Sequence, residues 1–302
     1  MIPTSKAGLW WGLLGVTGFS FTVPFTRVAV ENGAMSPLFI GSARAVVAAL
    51  LAAGALWITR QRRPRGGQWA RLTVVAGGGV FGFPLLTSFA LTTAPASHGA
   101  VVVALLPAAT AAMAMAVVRG HERPVVSFWI AACVGAAAAV IFAALQGGGL
   151  GGLHASDLML FAAVIVCAIG YAEGGLLARE LGSWQTISWA LVLASPLMIG
   201  LTAGSIAQRV PNGTVSEWGA FGYLAVVSMF LAFFAWYRGL AIGPMAQVSQ
   251  VQLAQPVLSI CWAALILHEH LTWATVLGGI SVIGCALIAV RARNRGGQVG
   301  LR

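Results

Sequence analysis

Apolar stretches of roughly 20 residues recur along the whole of this 302-residue chain. At a rise of about 1.5 Å per residue, each stretch is long enough as a helix to cross a bilayer core of about 30 Å. Only 8% of the residues are charged, whereas about a quarter of the residues are charged in a typical soluble domain. The sequence therefore predicts an all-α integral membrane protein that crosses the bilayer several times.

Charged or Gly/Pro-rich breaks divide the chain into ten predicted transmembrane helices, which we number as spans 1 to 10. The predicted bounds are 7–30, 36–59, 70–92, 97–118, 125–145, 156–178, 184–206, 217–240, 246–267 and 272–292. The short connections leave no room for a soluble domain. Span 1 lacks a small-residue cleavage site and is longer than the apolar core of a signal peptide, so we expect it to be retained.

The placement of basic residues predicts the orientation in the membrane. With the N-terminus assigned to the cytoplasm, 14 of the 17 Lys and Arg residues lie on the cytoplasmic side, Arg27 and Arg209 lie outside, and Arg44 lies within a span. Cytoplasmic loops carry an excess of Lys and Arg in membrane proteins. We therefore expect both termini to be cytoplasmic, and the net charge of +10 does not indicate a nucleic-acid partner.

The second half of the chain echoes the first at a spacing of 149 residues. The matched pairs are Gly33 and Gly182, Trp69 and Trp218, Pro95 and Pro244, and Pro107 and Pro256. An ordered series of this kind indicates duplication, with repeats at 1–149 (spans 1–5) and 150–302 (spans 6–10 and a basic tail). Because five spans is an odd number, the second repeat is inverted, an architecture typical of transporters with a substrate site near the midplane.

Two segments carry a family resemblance. "ALTTAPASHGAVVVALLPAATAAMAMAVVRGHERP" and "GLAIGPMAQVSQVQLAQPVLSICWAALILHEHLT" resemble the terminal halves of the two EamA units in the drug/metabolite transporter superfamily. Within that superfamily the chain resembles the YddG-type aromatic amino acid exporters of bacterial inner membranes. The resemblance implies a multi-pass inner-membrane protein whose ten helices surround a central cavity.

Span 9 is unusually polar for a membrane helix. Gln252, Gln255 and Ser259 follow i, i+3, i+7 spacing and share one face near the midplane, and Gln247 lies opposite His98 in the repeat. Polar groups at this depth are tolerated only against protein or a water-lined cavity. The side chains either bond to neighbouring helices or line a cavity, and their number favours the cavity. All five residues are candidate substrate-binding residues.

Two charged side chains lie deep in the predicted spans. Arg44 lies within span 2, and an intramembrane arginine is a functional-site hypothesis by default. Its planar fork suits a substrate carboxylate, although a structural pairing is the open alternative. Glu173 in span 6 is a possible proton-coupling residue, since burial favours the neutral acid. The alternatives for Glu173 are pairing with Arg238 or extension to the membrane surface.

Aromatic and proline residues complete the set of candidates. Phe21, Tyr171 and Trp236 are deep enough to line an apolar pocket, although each single aromatic is more often a packing residue. Prolines kink helices because they remove a backbone hydrogen bond. The predicted hinge positions are Pro24, Pro84, Pro107 and Pro256.

These observations predict an exporter of small metabolites, most of all amino acids including aromatic ones, that works by alternating access without a cofactor. Its expected partners are a small-molecule substrate and the lipid bilayer, and the sequence leaves the oligomeric state open. Export of other metabolites or drugs is the alternative. Exchange of nucleotide sugars or phosphate esters is disfavoured, because such substrates call for several deep Lys or Arg residues.

An enzyme is disfavoured, and so is a non-transporting scaffold. The motifs "GHER" (120–123) and "HEH" (268–270) are predicted on opposite sides of the membrane, and "HEH" lacks the HExxH spacing of a zinc site. The four cysteines have no CxxC spacing. We therefore expect neither a catalytic site nor a metal site. A scaffold has no need of inverted repeats with polar residues at the midplane.

Overall fold

A computed structural model describes residues 4–117, 126–146, 154–242, 248 and 251–299. The residues within these ranges form helices and turns, with no strand among them. Three sequence predictions fall elsewhere in the chain. The candidate Gln247, the "GHER" turn and the repeat boundary at 149/150 all lie outside the described residues.

All ten predicted spans are helical, which confirms the all-α, ten-span architecture. Span 1 is Thr4–Ser20 with Thr22–Val30, span 2 is Pro37–Ile58, span 3 is Gln68–Ala90, span 4 is Ala96–Val103 with Leu106–Val117, span 5 is Val126–Gln146, span 6 is Ala155–Leu181, span 7 is Ser183–Gln208, span 8 is Val215–Ile242, span 9 is Ala254–Ile266 and span 10 is Trp273–Val299. Spans 1, 2, 3, 6, 7 and 8 are long and apolar enough to cross a bilayer, and the others contain shorter apolar helices.

Span ends meet at two faces of the helix bundle. At one face, the Asn32 side chain after span 1 donates to Glu217 at the start of span 8 over 3.2 Å. At the same face Glu269, after span 9, accepts a hydrogen bond from the Ala96 backbone N–H at the start of span 4 over 2.7 Å. We call this side the opposite face, because it lies across the bundle from the arginine-rich loop 59–67. Spans 1 and 9 therefore run toward it, and spans 4 and 8 run away from it.

The other face carries the arginine-rich loop 59–67, and we call it the basic face. Here Gln61 after span 2 accepts from Gln185 at the start of span 7 over 3.2 Å. Arg71 at the start of span 3 pairs with Glu180 at the end of span 6. Spans 2 and 6 therefore end where spans 3 and 7 begin. The first repeat starts from the basic face and the second from the opposite face, so the repeats are inverted.

The two repeats share local irregularities as well as their helix order. Ala76–Gly82 in span 3 and Leu224–Leu231 in span 8 are both wide π-helical turns. Gly33 and Gly182, which precede spans 2 and 7, both have positive φ, at 66° and 98°, a conformation that glycine adopts without a steric penalty. These matches follow the 149-residue spacing, so the duplication seen in the sequence is also present in the backbone.

Span 9 is interrupted near its start. Val248 and Val251 are helical, Gln252 and Leu253 form a turn, and the regular helix resumes at Ala254. Pro256 has no N–H for the carbonyl of Gln252, and that carbonyl instead accepts from the Gln255 N–H over 3.0 Å in a tighter turn. Span 4 breaks at the equivalent place, just before Pro107. Both predicted hinge prolines therefore follow a real interruption of their helix.

Close packing joins the two repeats. A Cβ atom on Gly15 of span 1 would lie 2.7 Å from the Trp236 backbone nitrogen in span 8, and one on Gly78 of span 3 would lie 2.2 Å from the Val166 carbonyl in span 6. Neither position has room for a larger side chain. Small residues allow this approach of helix backbones within membranes. The pairs formed by spans 1 and 8 and by spans 6 and 3 are therefore equivalent contacts between the repeats.

Candidate substrate-binding site

Arg44 is buried, with 1% of its surface exposed. Its Nη1 lies 3.4 Å from Thr26 Oγ1 in span 1, and its Nη2 lies 3.5 Å from Thr87 Oγ1 in span 3. Within the described residues no carboxylate oxygen lies within 4.0 Å of the guanidinium, and Nε has no hydrogen-bond partner. Arg44 is thus a buried cation held at the junction of three spans with weak contacts.

The two threonines present lone pairs to Arg44. Thr26 donates its hydroxyl hydrogen to the Thr22 carbonyl over 2.7 Å, and Thr87 donates to the Phe83 carbonyl over 2.6 Å. Both contacts to Arg44 are at the long end of hydrogen-bonding distance, so they position the side chain without fully satisfying its five donors. The guanidinium can therefore bind an anion by donating hydrogen bonds to two of its oxygens.

The predicted polar face of span 9 is buried. Gln252 and Gln255 are 2% and 4% exposed, and the Gln252 Nε2 and Gln255 Oε1 atoms have no partner among the described residues. Ser259, by contrast, donates to the Ser20 carbonyl in span 1 over 2.6 Å. The face therefore has two functions: Ser259 joins two spans, while the two amides retain one unpaired donor and one unpaired acceptor.

Pro24 explains why the Ser20 carbonyl is available to Ser259. A proline has no N–H to donate four residues back, so the Ser20 carbonyl lacks its usual partner, and span 1 is interrupted at Phe21. The hydroxyl of Ser259 then bonds to this carbonyl. The predicted hinge at Pro24 is a break in the helix, stabilised from span 9.

The candidate aromatics fall into two clusters on either side of this break. Phe21 stacks on Trp262 with ring centroids 4.4 Å apart and also contacts Phe25 and Tyr223; we call these four residues the Phe21 cluster. Sequence reasoning missed Trp262, although it lies seven residues after Gln255 and therefore on the same helix face. It also missed Tyr223, for which the sequence pattern provided no signal.

Tyr171 and Trp236 lie together in a second, fully buried cluster. Tyr171 contacts Trp236 at 6.4 Å and Phe233 at 5.7 Å between ring centroids, and Phe19 packs edge-on against Phe233 at 5.0 Å. We call these four residues the Tyr171 cluster. The Trp236 Nε1 atom has no partner in the described part of the chain. The structure thus brings Tyr171 and Trp236 together and places Phe21 in a separate group.

Comparison with known proteins identifies the family. The model of the EamA-like transporter family matches residues 6–144 and, separately, residues 154–291. The chain belongs to the EamA-like transporter family. It is therefore a multi-pass membrane transporter, and each matched stretch covers one five-helix repeat.

Relatives of this EamA-like transporter extend over nearly its whole length. It is 43% identical over 288 residues to "Uncharacterized transporter YdeK" of Bacillus subtilis (strain 168), covering 93% of this chain and 96% of the relative. An "Uncharacterized transporter" of Archaeoglobus fulgidus is 24% identical over 284 residues, covering 94% and 99%. A solved crystal structure matches with a TM-score of 0.62 at 19% identity, covering 96% of this chain and 99% of that one, which supports the fold.

His98 of the transporter has a carboxylate partner within the protein. Its Nε2 lies 2.7 Å from Asp157 Oδ1 in span 6, and its ring lies 5.1 Å from that of Phe142. Asp157 also accepts from the His154 backbone N–H over 2.8 Å at the start of span 6. The imidazole therefore ties span 4 of one repeat to span 6 of the other. A role for His98 in substrate binding stays a prediction.

Replacing His98 by alanine is expected to destabilise the transporter by about 1–3 kcal/mol, because it leaves the buried Asp157 carboxylate without one hydrogen-bond partner. Thermal unfolding of the purified protein measures the effect as a lower apparent Tm. His270→Ala, which removes an exposed histidine, is the matched control and is expected to change Tm little. An unchanged Tm for His98→Ala would contradict the structural role.

Glu173 has a partner that the sequence alternatives did not include. Pairing with Arg238 was one of those alternatives, but the Arg238 guanidinium lies over the Trp11 ring at 5.1 Å from its centroid. Glu173 instead forms an ion pair with Arg71 of span 3, which also pairs with Glu180. Arg71 thus joins the first repeat to two carboxylates of the second at the basic face.

Proposed function

We propose that this transporter exports small metabolites that carry a carboxylate, namely amino acids including aromatic ones, from the cytoplasm of a bacterial cell across the inner membrane. The observation that carries the proposal is Arg44, a buried cation with no carboxylate partner within the described residues. An unpaired charge away from water is costly, and a substrate carboxylate removes that cost while it is bound. The role of Arg44 is therefore to bind the substrate carboxylate.

Other side chains inside the helix bundle match the rest of an amino acid. Gln252 and Gln255 offer an unpaired donor and an unpaired acceptor, which suit the carboxylate and the ammonium group respectively. The half-buried rings of the Phe21 cluster supply aromatic faces on which an aromatic side chain can stack, whereas the buried rings of the Tyr171 cluster would have to separate first. An amphipathic solute thus finds a cation, amides and rings on spans 1, 2, 6, 8 and 9.

Alternating access follows from the inverted repeats with interrupted helices. Spans 1, 4 and 9 are broken near Phe21, Ala104 and Leu253, and interrupted helices at the interface of inverted repeats are common at transporter binding sites. The excess of arginines at the basic face indicates that this face is cytoplasmic, with both termini on the same side. Rocking of one repeat against the other would then expose the site to each side in turn.

Uptake and counterflow in proteoliposomes test the proposal. Labelled Phe, Trp, Thr and Met are offered with and without a pH gradient, and phenylalaninamide serves as a competitor that lacks the carboxylate. We expect saturable flux of the amino acids and no competition by the amide. Flux that requires the pH gradient would assign proton coupling, with Glu173 as the candidate residue. No flux of any amino acid through folded protein would overturn the proposed substrate class.

Substitution of Gln255 by leucine tests the amide face separately. Loss of a hydrogen bond to a charged substrate costs about 1.5–3 kcal/mol, so we expect apparent affinity to fall roughly ten- to 150-fold. Gln208→Leu, at the exposed end of span 7, is the matched control and is expected to transport like the wild type. Equal transport by both variants would remove Gln255 from the site.

A further inference from the structure

A cavity lies between spans 2 and 7 at the basic face, apart from Arg44 and the two aromatic clusters. Its volume is about 550 Å³, within the range of small-molecule sites. Its lower wall is apolar and includes Ala53, Leu56, Trp57 and Val192, while its upper rim consists of Arg60, Gln61 and Arg63. The cavity is therefore apolar toward the bilayer core and cationic toward the membrane surface.

The two rim arginines are available for a ligand. Neither Arg60 nor Arg63 has a carboxylate within 4.0 Å in the described part of the chain. Glu180, which lies across the adjoining arginine-lined cavity, is engaged by Arg71. Arg60 also holds a φ of 50°, a conformation in which glycine is less strained. The chain thus keeps a charged side chain where backbone geometry alone would favour glycine.

The outer wall of the cavity faces the lipid side of the bundle. Trp57 is 83% exposed and Ile58 is 75% exposed, and tryptophan at this depth is typical of the membrane interface. A small soluble anion would use the arginines alone and leave the apolar wall bare. An amphiphile with an anionic head group and an acyl chain satisfies both halves of the cavity.

We infer that this cavity binds an anionic phospholipid from the basic-face leaflet. The phosphate lies against Arg60 and Arg63, and an acyl chain runs along Leu56, Trp57 and Val192. Clusters of basic residues at the cytoplasmic surface attract anionic lipids. Here the cluster lies above a cavity that can hold an acyl chain of the lipid. Because spans 2 and 7 belong to different repeats, the lipid bridges the two halves of the transporter.

Native mass spectrometry and thermal unfolding of the delipidated full chain test this inference. Phosphatidylglycerol is expected to bind and raise the apparent Tm, and phosphatidylcholine with the same chains is expected to bind at least ten-fold more weakly. The Arg60→Gln/Arg63→Gln variant should lose about ten- to thirty-fold in phosphatidylglycerol affinity, at roughly one interfacial charge contact per arginine. Arg62→Gln/Arg65→Gln is the matched control, since it removes the same charge from the same loop outside this cavity.

A further variant and two soluble ligands distinguish binding of a lipid from binding of a soluble phosphate. Ala53→Phe fills the apolar half without changing charge, so it should weaken phosphatidylglycerol binding. Inorganic phosphate and glycerol 3-phosphate should leave the apparent Tm unchanged. Equal losses in the two double variants would show attraction by loop charge alone and overturn the site. Stabilisation by inorganic phosphate that Ala53→Phe does not alter would identify a phosphate site and overturn the lipid.

Discussion

Replacing Arg44 by methionine is expected to abolish saturable amino acid transport while leaving the protein folded and more resistant to heat. Removing one partner of a buried charged hydrogen bond costs binding about 2–5 kcal/mol, which corresponds to roughly 30- to several-thousand-fold in affinity. The same change relieves an uncompensated buried charge, and well-packed apolar replacements of buried charges are often neutral or stabilising by about 1–4 kcal/mol. Flux assays and apparent Tm measure the two effects.

Arg27→Met is the matched control. Arg27 lies at the opposite-face end of span 1, where it donates to the Leu91 and Thr92 carbonyls over 2.8 Å and 2.9 Å and pairs with Glu31. Its loss should lower the apparent Tm and leave substrate affinity unchanged. Arg44→Lys should keep the charge but lose the planar fork, and we expect intermediate affinity. An unfolded Arg44→Met variant beside a folded Arg44→Lys variant with normal transport would contradict the substrate role.

Replacing Arg71 by glutamine is expected to destabilise the protein by about 3 kcal/mol, the lower end of the cost of breaking a buried ion pair. Glu173 is 7% exposed, and breaking a buried ion pair by removing one partner leaves an uncompensated charge. Glu180 has a side chain that is 47% exposed, so its share of the contact is screened by water and ions. Glu180→Gln is therefore the matched control, with an expected loss below about 1 kcal/mol.

A double-mutant cycle decides whether Glu173 acts through Arg71. If the two residues stabilise each other, Arg71→Gln/Glu173→Gln will be less destabilised than the sum of the single variants. Additive effects would contradict a direct pair. Transport by Glu173→Gln adds a second readout: loss of dependence on a pH gradient, with flux retained, would assign proton coupling to Glu173, whereas unchanged dependence would leave it a structural residue.

Hydropathy and repeat spacing were sufficient to predict the architecture. The ten apolar stretches become ten helices because each backbone must satisfy its own hydrogen bonds in lipid. The 149-residue spacing predicts inversion, since each repeat contains an odd number of spans. These properties depend on distances along the chain, which a sequence records directly.

Lateral neighbours could not be predicted in the same way. Arg71 and Arg238 lie at the same face, and the position of each residue along its span does not decide which of them contacts Glu173. The separation of Phe21 from Tyr171 also escaped prediction, because the break before Pro24 alters the direction of the side chains that follow it. The interruption of span 9 at Gln252 and Leu253 depends on how one proline redirects a single carbonyl, which hydropathy does not record.

The wide turns of spans 3 and 8 bear on the history of the molecule. A π-helical turn accommodates one extra residue within an α-helix, and two separate insertions at matching places are far less economical than a single one. The turn therefore indicates a feature of the ancestral five-helix unit that existed before its gene doubled. The position equivalent to Arg44 in the second half is Leu193, and that equivalent to Gln255 in the first half is Leu106. The inverted-repeat arrangement of helices is thus inherited from the ancestral unit. Arg44 and Gln255, which we propose recognise the substrate, are each present in one half only, without a counterpart in the other.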